Sequence, residues 1–384
     1  MKKILAMLLA LVMVMGLVAC GSDAPATNGP DNGGSNAGNS DGEYKIAMIT
    51  DYGDITDQSF NQTTYEACKA FAEENNITFT YYKPSGNSTA ERVAMVDAAV
   101  GDGYNIIVMP GFAFGETLAE CASTYPEVKF VALDVADGEG GFHATENVYS
   151  AVYQEELSGY MAGYAVVKMG YKHLGFLGGM AVPAVQRFGY GFLQGVDAAA
   201  KELNITGDVV VEYIYGGAFQ GDADITAAMD AWFGEKGVEV VFASGGGIFT
   251  SAAEAAKKVG GKIIGVDSDQ APVIDGMYQV EGMTLTSAMK GLAPTVKDTL
   301  TAIVLENKWA DYAGKIETLG LVSADPEANY VQLPMESTQW CDTFTQDDYK
   351  ALVAAMFEGT VTVSSDITAM PTTEVVVNTY DSIK

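Results

Sequence analysis

The sequence predicts an α/β protein of two similar lobes, each a doubly wound parallel sheet, facing each other across a cleft. Three observations predict it. From residue 46 onward, short apolar runs alternate with helical stretches, the order expected of βαβ units. Two segments repeat one another: VMPGF at 108–112 leading to KFVALD at 129–134, and VFASG at 241–245 leading to KIIGVD at 262–267. Each reads strand, Gly turn, helix, strand, Asp, at the same spacing. The chain beyond Asp267 is also longer than a second lobe needs. It therefore recrosses between lobes, and the expected division is 43–147 with 271–322 against 148–270 with 323–384.

The elements follow in order. Residues 46–49 form an uninterrupted apolar run, as in a strand buried on both faces. Thr50 and Asp51 end it, Gly53 permits a turn, and Asp57 or Ser59 can cap the helix that brings Phe60 and Asn61 into its first turn. Strands are expected at 77–83, 105–110, 129–134 and 147–152, with helices at 88–102 and 114–125 between them. A long helix rich in small residues spans 154–169. Further strands are read at 173–178, 209–215, 238–244 and 262–266. Beyond them come a strand at 283–289, a helix at 291–306 despite Pro294 in its first turn, a strand near 316–322, a helix at 345–357, and strands at 360–363 and 374–377.

Before the folded part, residues 1–19 read as a signal peptide. Lys2 and Lys3 precede an apolar, uncharged stretch that is short for a bilayer span. It ends in LVAC, similar to a bacterial lipobox, with Cys20 as the lipidated residue. Residues 20–42 are rich in Gly, Asn, Ser, Asp and Pro, the composition of a flexible tether. The net charge of −29, from 21 Lys and Arg against 50 Asp and Glu, repels nucleic acid and anionic lipid. A nucleoside without phosphate is not repelled in this way. Cys68, Cys121 and Cys341 are odd in number. Cys68 and Cys121 fall on helices expected to cover opposite faces of one sheet, so no bridge is expected between them.

The sequence lacks a GxSxG elbow, an HExxH motif, a P-loop and a dinucleotide fingerprint. Its two histidines, His143 and His173, do not suggest a catalytic pair, and no cofactor is called for. Asp51, Asp54 and Asp57 recur every third residue but lack the ligand alternation of a calcium loop. What remains is a cleft constellation: strand-end carboxylates (Asp51, Asp134, Asp267), glycine turns at 216–217 and 245–247, aromatics beside the turns (Phe60, Phe112, Phe219), and Lys290 ending a strand. Ligands of open α/β sheets bind outside the carboxyl ends of strands. Carboxylates accept from hydroxyls, glycines allow close backbone approach, and aromatic faces stack on planar rings. The set suits a polyhydroxylated, partly planar, uncharged molecule.

TDYGDITDQSFNQTTYE at 50–66 resembles the opening motif of the basic membrane protein family of ABC-transporter substrate-binding lipoproteins, the purine-nucleoside-binding type. GGAFQGD, VFASGGG, IGVDSDQ and LTSAMK resemble its later motifs in the same order, so the resemblance runs from about Lys45 to Val304. It implies a type I periplasmic-binding-protein fold, a hinged cleft that captures guanosine, adenosine or inosine, and delivery to an ABC permease with its ATPase. It also implies roles. Phe60 and Phe219 would sandwich the purine, Asp51 and Asn61 would bond its edge, and Asp267 and Lys290 would hold the ribose, with Asp134 and the backbone of Gly245 and Gly246 nearby. Asp269 follows Asp267 closely, and which of the two faces the ribose is open. Competing classes are a binder of a sugar or furanose-like signal on the same fold, and an extracellular nucleoside hydrolase using calcium.

Overall fold

A computed structural model describes residues 43–384. The expected signal peptide, Cys20 and tether lie outside the described residues. The first lobe opens with β1 (Lys45–Ile49), α1 (Phe60–Glu74), β2 (Thr78–Tyr82), α2 (Thr89–Gly101), β3 (Ile106–Pro110), α3 (Gly115–Thr124), β4 (Lys129–Leu133) and β5 (Val148–Tyr153). The strand runs are apolar because both faces are covered: β3 is buried throughout, and β1 and β4 in all but their first residue. α2 starts where Ser88 and Glu91 form a reciprocal capping box.

The chain then enters the second lobe through α4 (Glu155–Lys168), followed by β6 (His173–Gly178), α5 (Pro183–Leu203), β7 (Val210–Tyr215), α6 (Ala223–Ala231), β8 (Val240–Ser244), α7 (Phe249–Val259), β9 (Lys262–Asp267), α8 (Ala271–Tyr278) and β10 (Thr284–Lys290). It returns to the first lobe with α9 (Leu292–Val304) and β11 (Ile316–Leu319). It ends in the second with β12 (Val331–Gln332), α10 (Gln346–Phe357) and β13 (Val376–Thr379).

One sheet has the order β11-β5-β4-β3-β1-β2, the other β12-β10-β9-β8-β6-β7-β13. Pairing is parallel except between β10 and β12. The two orders superpose β1 on β6, β2 on β7, β3 on β8, β4 on β9 and β5 on β10, so the repeat read from the sequence is a repeat of sheet position. Each lobe buries a hydrophobic cluster on both faces of its sheet. Cys68 and Cys121 belong to different clusters of the first lobe, and both are free.

The expected lobe boundaries need correction. Residues 148–153 form β5 and complete the first sheet, whereas residues 284–290 form β10 and lie in the second. The first crossing comes one element later than expected, after β5, and the second two elements later, after α8 and β10, because each sheet takes five strands before the chain first leaves it. The crossings fall at β5–α4, at β10–α9 and between β11 and β12. Residues 360–363 make no strand: they follow α10 as irregular chain. The last strand is Val376–Thr379, shifted from 374–377, because it pairs in register with Val210–Tyr213 on the sheet edge.

The α4–α5 contact in the second lobe aims two charged groups at the cleft. Gly159 and Gly163 on α4 and Gly191 and Gly195 on α5 let the helix backbones touch. A Cβ at Gly191 would lie 2.1 Å from the carbonyl oxygen of Glu156, and one at Gly195 2.0 Å from that of Tyr160. This packing fixes Glu155, in the first turn of α4, beside Arg187, in the first turn and a half of α5, with the Arg187 Nε donating to Glu155 Oε2 at 2.5 Å.

Candidate functional site

A cavity of about 450 Å³ lies where the carboxyl ends of the two sheets face each other. Its walls come from the loops after β1, β3 and β4 in one lobe and after β6, β7 and β8 in the other, with the ends of β9 and β10. Its size is that of a small-molecule site. Asp51, Phe60, Asn61, Asp134, Phe219, Gly245, Gly246, Asp267 and Lys290 all line it. The sequence scatters these residues over 240 positions; the two-sheet topology gathers them.

In the first wall, Asp51 Oδ1 accepts from the amides of Tyr52 and Gly53, at 2.7 Å each. Burial raises the Asp51 carboxyl above the usual range, against those two bonds. Asp57, rather than Ser59, caps α1: its carboxylate accepts from the amides of Asn61 and Gln62 at 2.9 and 3.0 Å. Ser59 precedes the helix but makes no capping bond. Its hydroxyl instead reaches across the cleft and donates to Asp267 Oδ2 at 2.7 Å. Asn61 donates to Asp57 at 3.1 Å, and its Oδ1 is buried without a partner among the described residues. A buried acceptor of this kind costs about 1–3 kcal/mol unless something donates to it. Asp54 pairs with Lys83 at 2.6 Å, so the three aspartates of the opening motif turn to three different partners.

The second wall is glycine-rich because Phe219 needs the room. A Cβ on Gly179 would lie 2.4 Å from the Phe219 ring, and one on Gly245 2.8 Å from it. Gly245 also has φ +148 and its counterpart Gly111 in the first lobe φ +129, a region that L side chains rarely adopt. Across the cleft mouth the Phe219 ring stacks with Tyr52, centroids 6.3 Å apart and planes 30° apart.

The floor is ionic. Lys290 Nζ donates to Asp134 Oδ2 at 2.6 Å and lies 3.0 Å from Glu155 Oε1, but 4.0 Å from Asp267 Oδ1. Lys290 sits on the strand next to Asp267, yet its short hydrogen bond runs across the cleft to Asp134. Burial disfavours the Lys290 charge, but the carboxylates of Asp134, Glu155 and Asp267 outweigh it and hold the ammonium well above its ordinary value. Three aromatic rings, Phe60, Tyr153 and Phe188, surround the ammonium at 5.1–5.5 Å, within cation–π range. Among the described residues Asp267 accepts one side-chain hydrogen bond, from Ser59, and burial pushes its carboxyl up to about 6. Asp269 does not line the cavity; it accepts from the amide of Ala271 at the start of α8, at 3.1 Å.

Glu155, Arg187 and Tyr52 were not among the candidates read from the sequence. Arg187 had a signal, since the chain holds two arginines and 19 lysines, and one of the two falls in a helix start just after a glycine-ended strand. Glu155 and Tyr52 had none, because their placement depends on the lobe crossing and on cleft closure.

The acidic side chains Asp51, Asp54, Asp57, Asp134, Glu139 and Asp267 line the cavity against Lys290 and Arg187. Both cations are already paired with carboxylates. Such a lining accepts hydrogen bonds from a neutral solute and opposes a phosphorylated one. Two parallel α/β lobes, three chain crossings and a cleft lined from both sides define a solute-binding protein of the type I periplasmic fold. The family of ABC transporter substrate-binding proteins of the PnrA-like type matches residues 44–324, and the chain belongs to it. Substrate-binding proteins of this family are extracytoplasmic. Among the described residues, no helix is long and apolar enough to cross a membrane.

The chain is 28% identical over 317 residues to the ABC transporter nucleoside-binding protein BmpA of Lactococcus lactis, covering 77% of this chain and 83% of that one. It is 26% identical over 295 residues to basic membrane protein B of Borreliella burgdorferi, covering 75% and 82%. Among solved structures, an ABC transporter solute-binding protein of Aeropyrum pernix matches with a TM-score of 0.64 at 22% identity, covering 83% of this chain and 87% of that one. One from Conexibacter woesei matches with a TM-score of 0.63 at 20% identity, covering 84% and 99%. These structures bear on the fold alone. The L. lactis relative and both solved structures are named as binding proteins.

Proposed function

We propose that this chain captures purine nucleosides in the inter-lobe cleft and delivers them to an ABC permease. One observation carries the reading: a single cavity is lined by two aromatic walls, Phe60 from one lobe and Phe219 from the other, together with the acceptors Asp51, Asn61 and Asp267. The rings suit a planar base. The unpartnered Oδ1 of Asn61 and the carboxylate of Asp51 accept from its N–H groups. Asp267 accepts from ribose hydroxyls in charge-assisted bonds, which are stronger than neutral ones. Lys290 and Asp134 form the floor beneath the sugar. The relative from L. lactis is named as nucleoside-binding, which supports the same class. Calorimetric titration with guanosine, inosine, adenosine, guanine and ribose tests the reading. Ribonucleosides should bind far more tightly than ribose, and a chain that takes sugars but not nucleosides would overturn it. The nucleoside should be recovered uncleaved.

Anchoring belongs to the same proposal. Cys20 carries lipid at the outer face of the membrane, and residues 21–42 tether the lobes. Replacing Cys20 with Ala should release the protein from membranes or leave its leader uncleaved, and an unmodified Cys20 in membrane-extracted protein would reject the anchor.

A further inference from the structure

The strap formed by β13 and residues 380–384 lies beyond the stretch matched by the family. It begins where Asp197 Oδ1 accepts from the amides of Glu374 and Val375, at 2.6 and 3.1 Å. β13 then pairs in parallel with β7. Tyr380 leaves the strand and donates to Glu212, a buried carboxylate on β7 that also meets Lys236. The amide of Ile383 donates to the carbonyl of Tyr215, the last residue of β7, at 2.9 Å.

Lys384 completes the path. The loop that carries Phe219 runs from Gly216 to Asp222, between β7 and α6. Lys384 touches both ends of it. Its Cβ lies where a side chain on Gly217 would come to 2.8 Å. Its ammonium pairs with Asp222, whose other oxygen accepts from the amides of Asp224 and Ile225 and so caps α6. Gly217 has φ +81, so the loop turns at the point where Lys384 abuts it. Inside the loop, Phe219 has glycine on its inner side at Gly179 and Gly245, which limits how far side chains there can hold the ring. The strap meets the loop at Gly217 and Asp222.

We infer that the strap positions the Phe219 wall of the cleft, with Lys384 as a positioning residue that spans the two ends of the Phe219 loop. The inference rests on the nucleoside reading only for the solute used to detect it. Ring stacking is steep in geometry, so a loop free to swing loses part of the stacking contribution without loss of fold. An exposed ion pair contributes at most about 1 kcal/mol, so the effect of Lys384 alone is modest. Removing residues 381–384, with the Ile383 bond, should cost more.

Two measurements test this. Hydrogen exchange of the full chain, with no solute added, should show faster exchange at residues 217–222 in Lys384→Ala while the β7 amides keep their protection. Guanosine affinity should fall about two- to fivefold in Lys384→Ala, fall further in the chain shortened after Tyr380, and recover in Lys384→Arg. In the background of Phe219→Leu, which keeps a side chain on the wall, the Lys384→Ala loss should shrink towards nothing, because residues acting through one contact are non-additive. Unchanged exchange at 217–222, or full additivity with Phe219→Leu, would overturn the inference. A wild-type chain that binds no nucleoside would sink the proposed function instead, and exchange would still decide the strap.

Discussion

Asp134 and Asp267 occupy the same position in the two lobes and do different things. Asp134 follows the fourth strand of its lobe and Asp267 ends the fourth strand of the other, and each is held in the left-handed region, at φ +65 and φ +64. Non-glycine residues are uncommon there, although aspartate tolerates it better than most. The backbone repeat is therefore conformational as well as sequential. The partners are not repeated. Asp134 bonds Lys290 at 2.6 Å within a buried group that includes Glu155 and Arg187. Asp267 accepts from the Ser59 hydroxyl at 2.7 Å, with Lys290 at 4.0 Å. A duplicated backbone position thus yields one carboxylate bonded to Lys290 in the cleft floor and one bonded to a hydroxyl across the cleft.

The largest expected effect breaks the committed side. Lys290→Met leaves Asp134 buried without its paired cation and Glu155 with Arg187 alone, and should destabilise the fold by about 3–5 kcal/mol, read as a drop in the denaturant midpoint. A midpoint within error of wild type would mean that the floor carries no such load. Asp267→Ala should act on the other side of the comparison. It should weaken guanosine by about 1.5–3 kcal/mol with little change in midpoint, and leave guanine, which has no sugar hydroxyls, nearly unaffected. Equal losses for guanosine and guanine would remove Asp267 from the sugar.

The aromatic walls extend the comparison between lobes. Phe60→Ala and Phe219→Ala should each weaken nucleoside binding by about 1–3 kcal/mol. Phe60 also lies against the Lys290 ammonium, so only Phe60→Ala should lower the midpoint as well. The smallest effect is pH-dependent. With its carboxyl raised from 3.8 to about 6, Asp267 gains a proton as pH falls through 6 and ceases to accept from two hydroxyls. Guanosine affinity should fall below pH 6, by up to about tenfold per unit, and Asp267→Asn should flatten the curve. Stability carries the opposite sign. Between 3.8 and 6 the folded chain keeps a proton that the unfolded chain has lost, so this group's contribution to stability declines as pH rises through that window.

Much of this was legible in the sequence for a physical reason. Buried parallel strands are apolar on both faces, so β1, β3, β4, β8 and β9 stand out as runs, and the strand-end position of Asp51, Asp134, Asp267 and Lys290 follows directly. The pairing of those groups was not legible. Ser59 and Asp267 are separated by 208 positions, and Lys290 bonds across the cleft rather than to its neighbour in the sheet. Such contacts are set by how the lobes meet, which no local pattern encodes. The misplaced lobe boundary has the same origin: β5 and β10 look alike as sequence, and only sheet order assigns each to a lobe. Glu155 and Arg187 are joined by the close approach of α4 and α5, visible beforehand only as an excess of small residues.

The bonds that join the lobes directly bear on time as well as on affinity. Ser59 to Asp267, the Gln270 side-chain amide to the Gln58 carbonyl at 2.9 Å, and Lys290 to Asp134 all tie one lobe to the other. Swinging the lobes apart must break those that lie away from the hinge. Solute entry then follows an opening event, and the observed association rate should level off at high solute concentration instead of rising in proportion to it. Ser59→Ala removes one clasp, and the plateau should rise in stopped-flow traces of that variant.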